Sequence, residues 1–180
     1  YQEDIIDRGS VVLRDAGFVY LAMEVRTGKT LTSLGIAEKV GAKNVLFLTK
    51  KKAISSIVDD FNLLKPSFDM YTINYESIHK IPKVKWDLVV LDEAHGMGAF
   101  PKPSKRAKQV KGLLSTTGAM AIFLSGTPTP ESFSQMYHQV YGLKNNPFAR
   151  YKNFYRFADD YVKLKTMKIN GYDIKDYKGG

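Results

Sequence analysis

The chain has 180 residues, 44% hydrophobic and 25% charged, a balance that excludes disorder as the main state and fits one ordinary domain. It contains no cysteine, which excludes disulfides, thiolate zinc sites and cysteine nucleophiles. Lysine and arginine number 27 against 18 acids, giving +9 at neutral pH, and 21 of the cations are lysines, point charges better suited to phosphate backbones than to base edges. No apolar run is long enough to span a bilayer, and residues 1–8 have no apolar run of the signal-peptide kind, so a soluble, intracellular domain is expected.

In chain order, residues 18–23 (FVYLAM) predict a buried strand and 28–40 a helix after it. Residues 44–49 (NVLFLT) predict a second strand. A helix over about 53–64 follows, with Ile54, Ile57, Val58 and Phe61 on one face. Shorter strand patterns lie at 70–74, 86–91 and 119–124. A Gly/Pro-rich loop at 96–103 leads into a basic helix near 104–114, where Lys102, Lys105, Arg106, Lys108 and Lys111 gather. Near-continuous apolar strands alternating with helices predict an α/β fold with a mostly parallel sheet covered on both faces. After about residue 147 the pattern turns aromatic and basic. Tyr151, Phe154, Tyr155, Phe157 and Tyr161 recur at near-helical spacing, which favours core packing over base stacking, and Lys163, Lys165 and Lys168 form a second basic group.

In such a sheet, ligands bind beyond the carboxyl ends of the strands. Directly after the first strand, residues 24–30 read Glu-Val-Arg26-Thr27-Gly28-Lys29-Thr30 and open a helix. Backbone amides there suit a β-phosphate, Lys29 the β- and γ-phosphates, and the Thr30 hydroxyl a magnesium ion. Met23 stands where a phosphate loop ordinarily has glycine. The fourth strand runs into Asp92-Glu93-Ala94-His95, two adjacent carboxylates that are costly there unless they face a cation or a reacting water. Asp92 suits magnesium, and Glu93 suits orienting and deprotonating a water. The fifth strand ends in Ser125-Gly126-Thr127-Pro128, a hydroxyl turn that can bond to the 92–95 segment. Taken alone, this last string is better explained as a plain Gly-Pro turn; its place after the fifth strand, in line with the lysine loop and the acid pair, favours the functional reading.

Together these strings resemble the first RecA-like lobe of a superfamily-two helicase of the Swi/Snf-type DNA translocase branch, phage-encoded members included. TGKT resembles the first helicase motif, NYES (74–77) the Ib segment, DEAH the second motif, residues 102–114 the helix after it, and LSGTPTP (124–130) the third motif. The resemblance implies a RecA-like P-loop lobe over residues 1–146, extended by 147–180, that binds ATP and magnesium and acts on DNA, duplex favoured. It implies Gln2 as the adenine-reading glutamine, and Gln2, Arg26, Thr27, Gly28, Lys29 and Thr30 around the nucleotide. Lys29, Asp92 and Glu93 become the catalytic set, with Thr30 and Asp92 at the metal. His95, Ser125 and Thr127 carry coupling to nucleic acid, and Lys50, Lys51, Asn74, Tyr75, Lys105 and Arg106 contact it. A cytoplasmic location in a bacterium or phage-infected host, or a nuclear one in a eukaryote, follows from the same resemblance.

The sequence departs from the branch at Met23, at Lys50-Lys51-Lys52 in place of a proline-bearing segment, at Ile57 in place of tryptophan, and at Gly96 in place of a basic residue. No string after Pro130 resembles a second lobe, whose arginines such ATPases need at the γ-phosphate, and the chain therefore reads as a truncated first lobe. Two alternatives stay open: a strand-separating helicase on RNA or single-stranded DNA, and a nucleic-acid-binding module that uses nucleotide as a structural switch.

Overall fold

The structure, a computed structural model, describes residues 2–23, 28–130, 132–140, 142–143 and 145–179. Helix α1 (Gln2–Ala16) precedes strand β1 (Phe18–Ala22), followed by α2 (Lys29–Lys39), β2 (Asn44–Thr49), α3 (Ile54–Leu64), β3 (Asp69–Asn74) and β4 (Leu88–Leu91). Then come α4 (Lys105–Thr117), β5 (Met120–Ser125), a one-turn α5 (Met136–Gln139), α6 (Phe154–Tyr161), and strands β6 (Lys163–Ile169) and β7 (Tyr172–Gly179). The first five strands form one parallel sheet in the order β1-β5-β4-β2-β3, the α/β architecture that the RecA-like resemblance implies. No described helix is long and apolar enough to cross a membrane.

Strand pleating sends alternate side chains into two cores. Val19, Leu21, Val45, Phe47, Leu88, Val90, Ile122 and Leu124 pack beneath α1, α2 and α3. Leu46, Leu48, Val89, Leu91, Ala121 and Phe123 pack beneath α4, with Tyr75 and Trp86. Both faces being covered is why these strands read as unbroken apolar runs. Helix α4 starts at Ser104, whose Oγ accepts from the Ala107 amide at 3.1 Å, and stops at left-handed Gly118.

Helix α1 has no counterpart in the sequence reading. Its apolar stripe is disguised because two of its buried positions are Gly9 and Ser10. A Cβ on Gly9 would stand 2.6 Å from Ile36 Cδ1, and one on Gly35 would stand 2.6 Å from Ile6 Cδ1, so each helix sets an isoleucine against the other's glycine. The expected face of α3 is narrower than the periodicity predicts. Ile57 is buried, Ile54 and Phe61 are half-buried and Val58 is exposed, because α3 rests near the sheet edge, mainly on α2 and β3.

The aromatic run divides as well. Phe154 and Phe157 are buried with Tyr137, Ala158 and Val162, whereas Tyr155 and Tyr161 are exposed. Phe148 packs against both this cluster and the α4-side core. The lysine-rich stretch beyond forms an antiparallel hairpin that the sequence reading did not foresee, closed by Asn170-Gly171, both at positive φ. That dipeptide between two strands is the signature of a two-residue hairpin turn.

Phe157→Ala should lower unfolding free energy by about 3–5 kcal/mol. Urea denaturation should show the loss in a single transition, since Phe148 joins the aromatic cluster to the sheet core.

Candidate functional site

The carboxyl ends of β1, β5, β4 and β2 lie side by side, and the chemistry-bearing residues converge there. Asp92 follows β4 and is only 4% exposed. Its Oδ2 accepts from Thr49 Oγ1 at 2.7 Å, its Oδ1 accepts from the Glu93 amide at 3.0 Å, and Lys29 Nζ stands 3.4 Å from Oδ1. Every polar face of this buried carboxylate therefore has a partner, as burial requires. Thr49 escaped the sequence reading; its signal was a hydroxyl ending an otherwise apolar strand beside the acid pair.

Glu93 adopts φ 51°, ψ 45°, a left-handed conformation uncommon for a non-glycine residue. Its Oε1 lies 3.3 Å from Lys29 Nζ and its Oε2 lies 3.5 Å from His95 Nε2. On its other edge, His95 Nδ1 and Ser125 Oγ are 2.7 Å apart, and Ser125 Oγ also accepts from the Thr127 amide at 3.1 Å. Acid pair, histidine and hydroxyl turn are thus one bonded array.

Helix α2 begins at Gly28 (φ 77°, ψ 32°), with no side-chain cap and no acid in its first turn. The amides of such an end, together with the dipole, favour an anion. Gln2 reaches the same point: a Cβ on Gly28 would lie 2.0 Å from Gln2 Nε2, so only glycine admits this approach. Thr30 is half-buried in the first turn of α2. Arg26 and Thr27 lie outside the described residues. Met23 is not a loop residue at all. Its amide donates to the Ser125 carbonyl at 3.1 Å and its side chain is buried in the core under α2, so β1's pairing with β5 continues one residue further.

The expected nucleic-acid residues occupy the same end of the sheet, following β2 and β3 and opening α4. Lys50, Lys51 and Lys105 are exposed, and Asn74 Nδ2 donates to Glu76 Oε2 at 3.0 Å. Arg106 sits 4.4 Å above the Tyr75 ring and 3.3 Å from Glu76 Oε1. Gly96 leaves room for that guanidinium, since a Cβ there would stand 2.8 Å from Arg106 Nη1. Tyr75 itself requires correction as a nucleic-acid contact. It is 3% exposed, and its hydroxyl donates to the Asp92 carbonyl at 2.6 Å, so it braces the acid pair from beneath Arg106. Burial first, then the Asp92 carboxylate, push its phenol above the ordinary value near 10, while Arg106 opposes them.

The SNF2-related domain model matches residues 41–170, well over half of the chain, and the chain belongs to that family. The matched stretch holds the acid pair, the hydroxyl turn and the first strand of the hairpin, and leaves the Lys29 helix start outside. A comparison with curated proteins finds no match. Among solved structures, the ATP-dependent Type ISP restriction-modification enzyme LlaBIII bound to DNA matches with 20% identity and a TM-score of 0.46, over 69% of this chain. This chain spans only 12% of that enzyme's chain.

Tyr75→Phe should cost about 1 kcal/mol at neutral pH through the lost bond to Asp92. Above pH 10 the unfolded chain releases a phenolic proton that folded Tyr75 keeps, so wild-type stability falls with rising pH. The gap between wild type and variant should therefore narrow from pH 8 to pH 11, as read by urea unfolding at each pH.

Proposed function

We propose that the chain is the ATP-binding lobe of a DNA-dependent ATPase that couples hydrolysis to movement along duplex DNA, working with a second RecA-like lobe. The observation that carries this reading is Lys29 Nζ held 3.4 and 3.3 Å from the Asp92 and Glu93 carboxylates at an uncapped helix N-terminus. The donor set fits magnesium-bound ATP: helix amides and an ammonium for phosphate oxygens, a hydroxyl and a buried carboxylate for the metal. Bound there, ATP and magnesium would supply the scissile phosphoanhydride and a divalent charge at its oxygens.

Each side chain then has a role that its environment supports. Lys29 binds β- and γ-phosphate oxygens, and Thr30 Oγ1 and Asp92 hold the metal. Gln2, against Gly28, reads the adenine, with Arg26, Thr27 and Gly28 lending backbone to the phosphates. Glu93, whose side chain is one-third exposed, orients a water and takes its proton on a carboxylate oxygen steered by Lys29 and His95. His95, Ser125 and Thr127 relay the state of that carboxylate. Lys50, Lys51, Lys105, Asn74 and Arg106 line the end of the sheet where a phosphate backbone would run, and the excess of lysine favours backbone-directed, sequence-independent binding. Residues 147–180 are an extension of the same lobe, as the shared Phe148 supports.

Calorimetric titration with magnesium and a non-hydrolysable ATP analogue should give binding that Lys29→Ala weakens by about 10- to 100-fold, the value of a charge-assisted bond of about 1.5–3 kcal/mol. Absence of binding to the wild-type chain would sink the reading. In the whole ATPase, Glu93→Gln should keep nucleotide affinity and lower DNA-stimulated turnover by about 10²- to 10⁴-fold. Stimulation by single strands but not by duplex would replace the duplex assignment.

A further inference from the structure

Beyond the array around Asp92, a second buried polar chain starts at the same turn and leads away from it. Gln139, at the end of α5, is 2% exposed, and a buried amide is costly unless its polar atoms are paired. Both ends of its amide are used. Its Oε1 accepts from Tyr20 Oη at 2.6 Å, and its Nε2 donates to the Pro128 carbonyl at 2.6 Å and the Gln135 carbonyl at 3.0 Å. Tyr20 stands on β1, edge-on to Phe123 at 5.7 Å between ring centres. Burial keeps that phenol well above its ordinary pKa, so it stays protonated and donates across the whole physiological range.

The chain continues through the 3-10 turn Phe133–Gln135. Ser132 caps that turn through a reciprocal bond with Gln135. Ser132 Oγ and Ser134 Oγ then both donate to the Tyr177 carbonyl of β7, at 3.3 and 2.5 Å. A polar path thus runs from Glu93 through His95 and Ser125, along the 125–128 turn to the Pro128 carbonyl, and through Gln139 and the 133–135 turn to the hairpin, with Tyr20 holding the other end of the Gln139 amide. The hairpin carries exposed Lys163, Lys168, Lys175 and Lys178.

We propose that Tyr20 and Gln139 are positioning residues that tie the 125–128 turn to the β6–β7 hairpin, so that occupancy of the nucleotide site is transmitted to the hairpin. The link is a matter of bonds already present in the free chain. Only its dependence on nucleotide rests on the ATP-binding reading above. A buried network satisfied at every arm moves as a unit or breaks as one, because an unpaired buried arm is costly. A shift of Ser125 on its His95 side therefore cannot leave Gln139 and the Pro128 carbonyl where they were.

Hydrogen exchange read by mass spectrometry tests this on the 180-residue chain, with calorimetry run beside it. Tyr20→Phe keeps the ring and removes only the hydroxyl. Gln139→Met keeps length and volume and removes both amide ends. Without nucleotide, both variants should speed exchange over residues 172–179 by about threefold or more, with β2 and β4 unchanged. With magnesium and the ATP analogue, the wild-type hairpin should slow by about threefold or more. Both variants should bind the analogue with wild-type affinity and show no such slowing, which a merely structural role would not produce.

Wild-type exchange rates at the hairpin in both variants would overturn the proposal, as would a full nucleotide response in either. So would a wild-type chain that binds the analogue while its hairpin does not respond. A wild-type chain that binds no analogue refutes the ATP reading instead, and the nucleotide-free comparison then decides the link by itself.

Discussion

The buried carboxylate of Asp92 is the constraint around which the rest of this end of the molecule is arranged. A lone ionised group at 4% exposure would be expelled or neutralised, at a cost of several kcal/mol. It is retained because three elements satisfy it at once: β2 through Thr49, the backbone of its own turn through Glu93, and α2 through Lys29. Tyr75 adds a fourth support by bonding the Asp92 carbonyl, and Arg106 lies over the tyrosine ring. Arg106 is thereby linked to the acid pair through a single intervening side chain, Tyr75.

Strand order makes this arrangement possible. With β4 between β5 and β2, and β1 outside β5, the last residues of four strands stand in a row. Thr49, Asp92 and Ser125 are separated by more than 30 residues in sequence but are neighbours or next-neighbours across the sheet. The register of β2 with β4 pairs Leu48 with Leu91, which sets Thr49 against Asp92 directly. A slip of one residue would exchange the side chains of the two cores, each packed for its own helices, so the packing that fixes the register also fixes the site.

Much of this was legible in the sequence because the apolar strands are unbroken and each ends in a polar string. The five strands and the residues closing three of them were identified from that pattern alone. Other features were hidden for identifiable reasons. Helix α1 buries glycine and serine where periodicity looks for aliphatics. Tyr75 was expected at the nucleic acid only through the resemblance of NYES to the Ib segment, whereas its hydroxyl is bonded beneath Asp92. Gln139 and Tyr20 carry no motif, and only the folded chain brings them within 2.6 Å. The hairpin was signalled by Asn170-Gly171, a cue overshadowed by the lysines around it.

Glu93 shows how a local strain serves the site. Consecutive residues of an extended strand point to opposite faces of the sheet, so two adjacent acids at a strand end ought to diverge. Here both carboxylates reach the same ammonium, at 3.4 and 3.3 Å. The strand has stopped at Leu91, and the left-handed turn at Glu93 swings the second carboxylate round to the side of the first. Such a conformation costs on the order of 1–3 kcal/mol for a residue with a Cβ and persists only where surrounding contacts over-determine it. They do so here: Lys29 and His95 hold the two carboxylate oxygens, and the Glu93 amide is tied back to Asp92. A glycine would relieve the backbone and lose the carboxylate, whereas a glutamate in a relaxed conformation would turn its carboxylate away from Lys29. The strain is therefore what converts two neighbouring acids in sequence into two acids facing one cation.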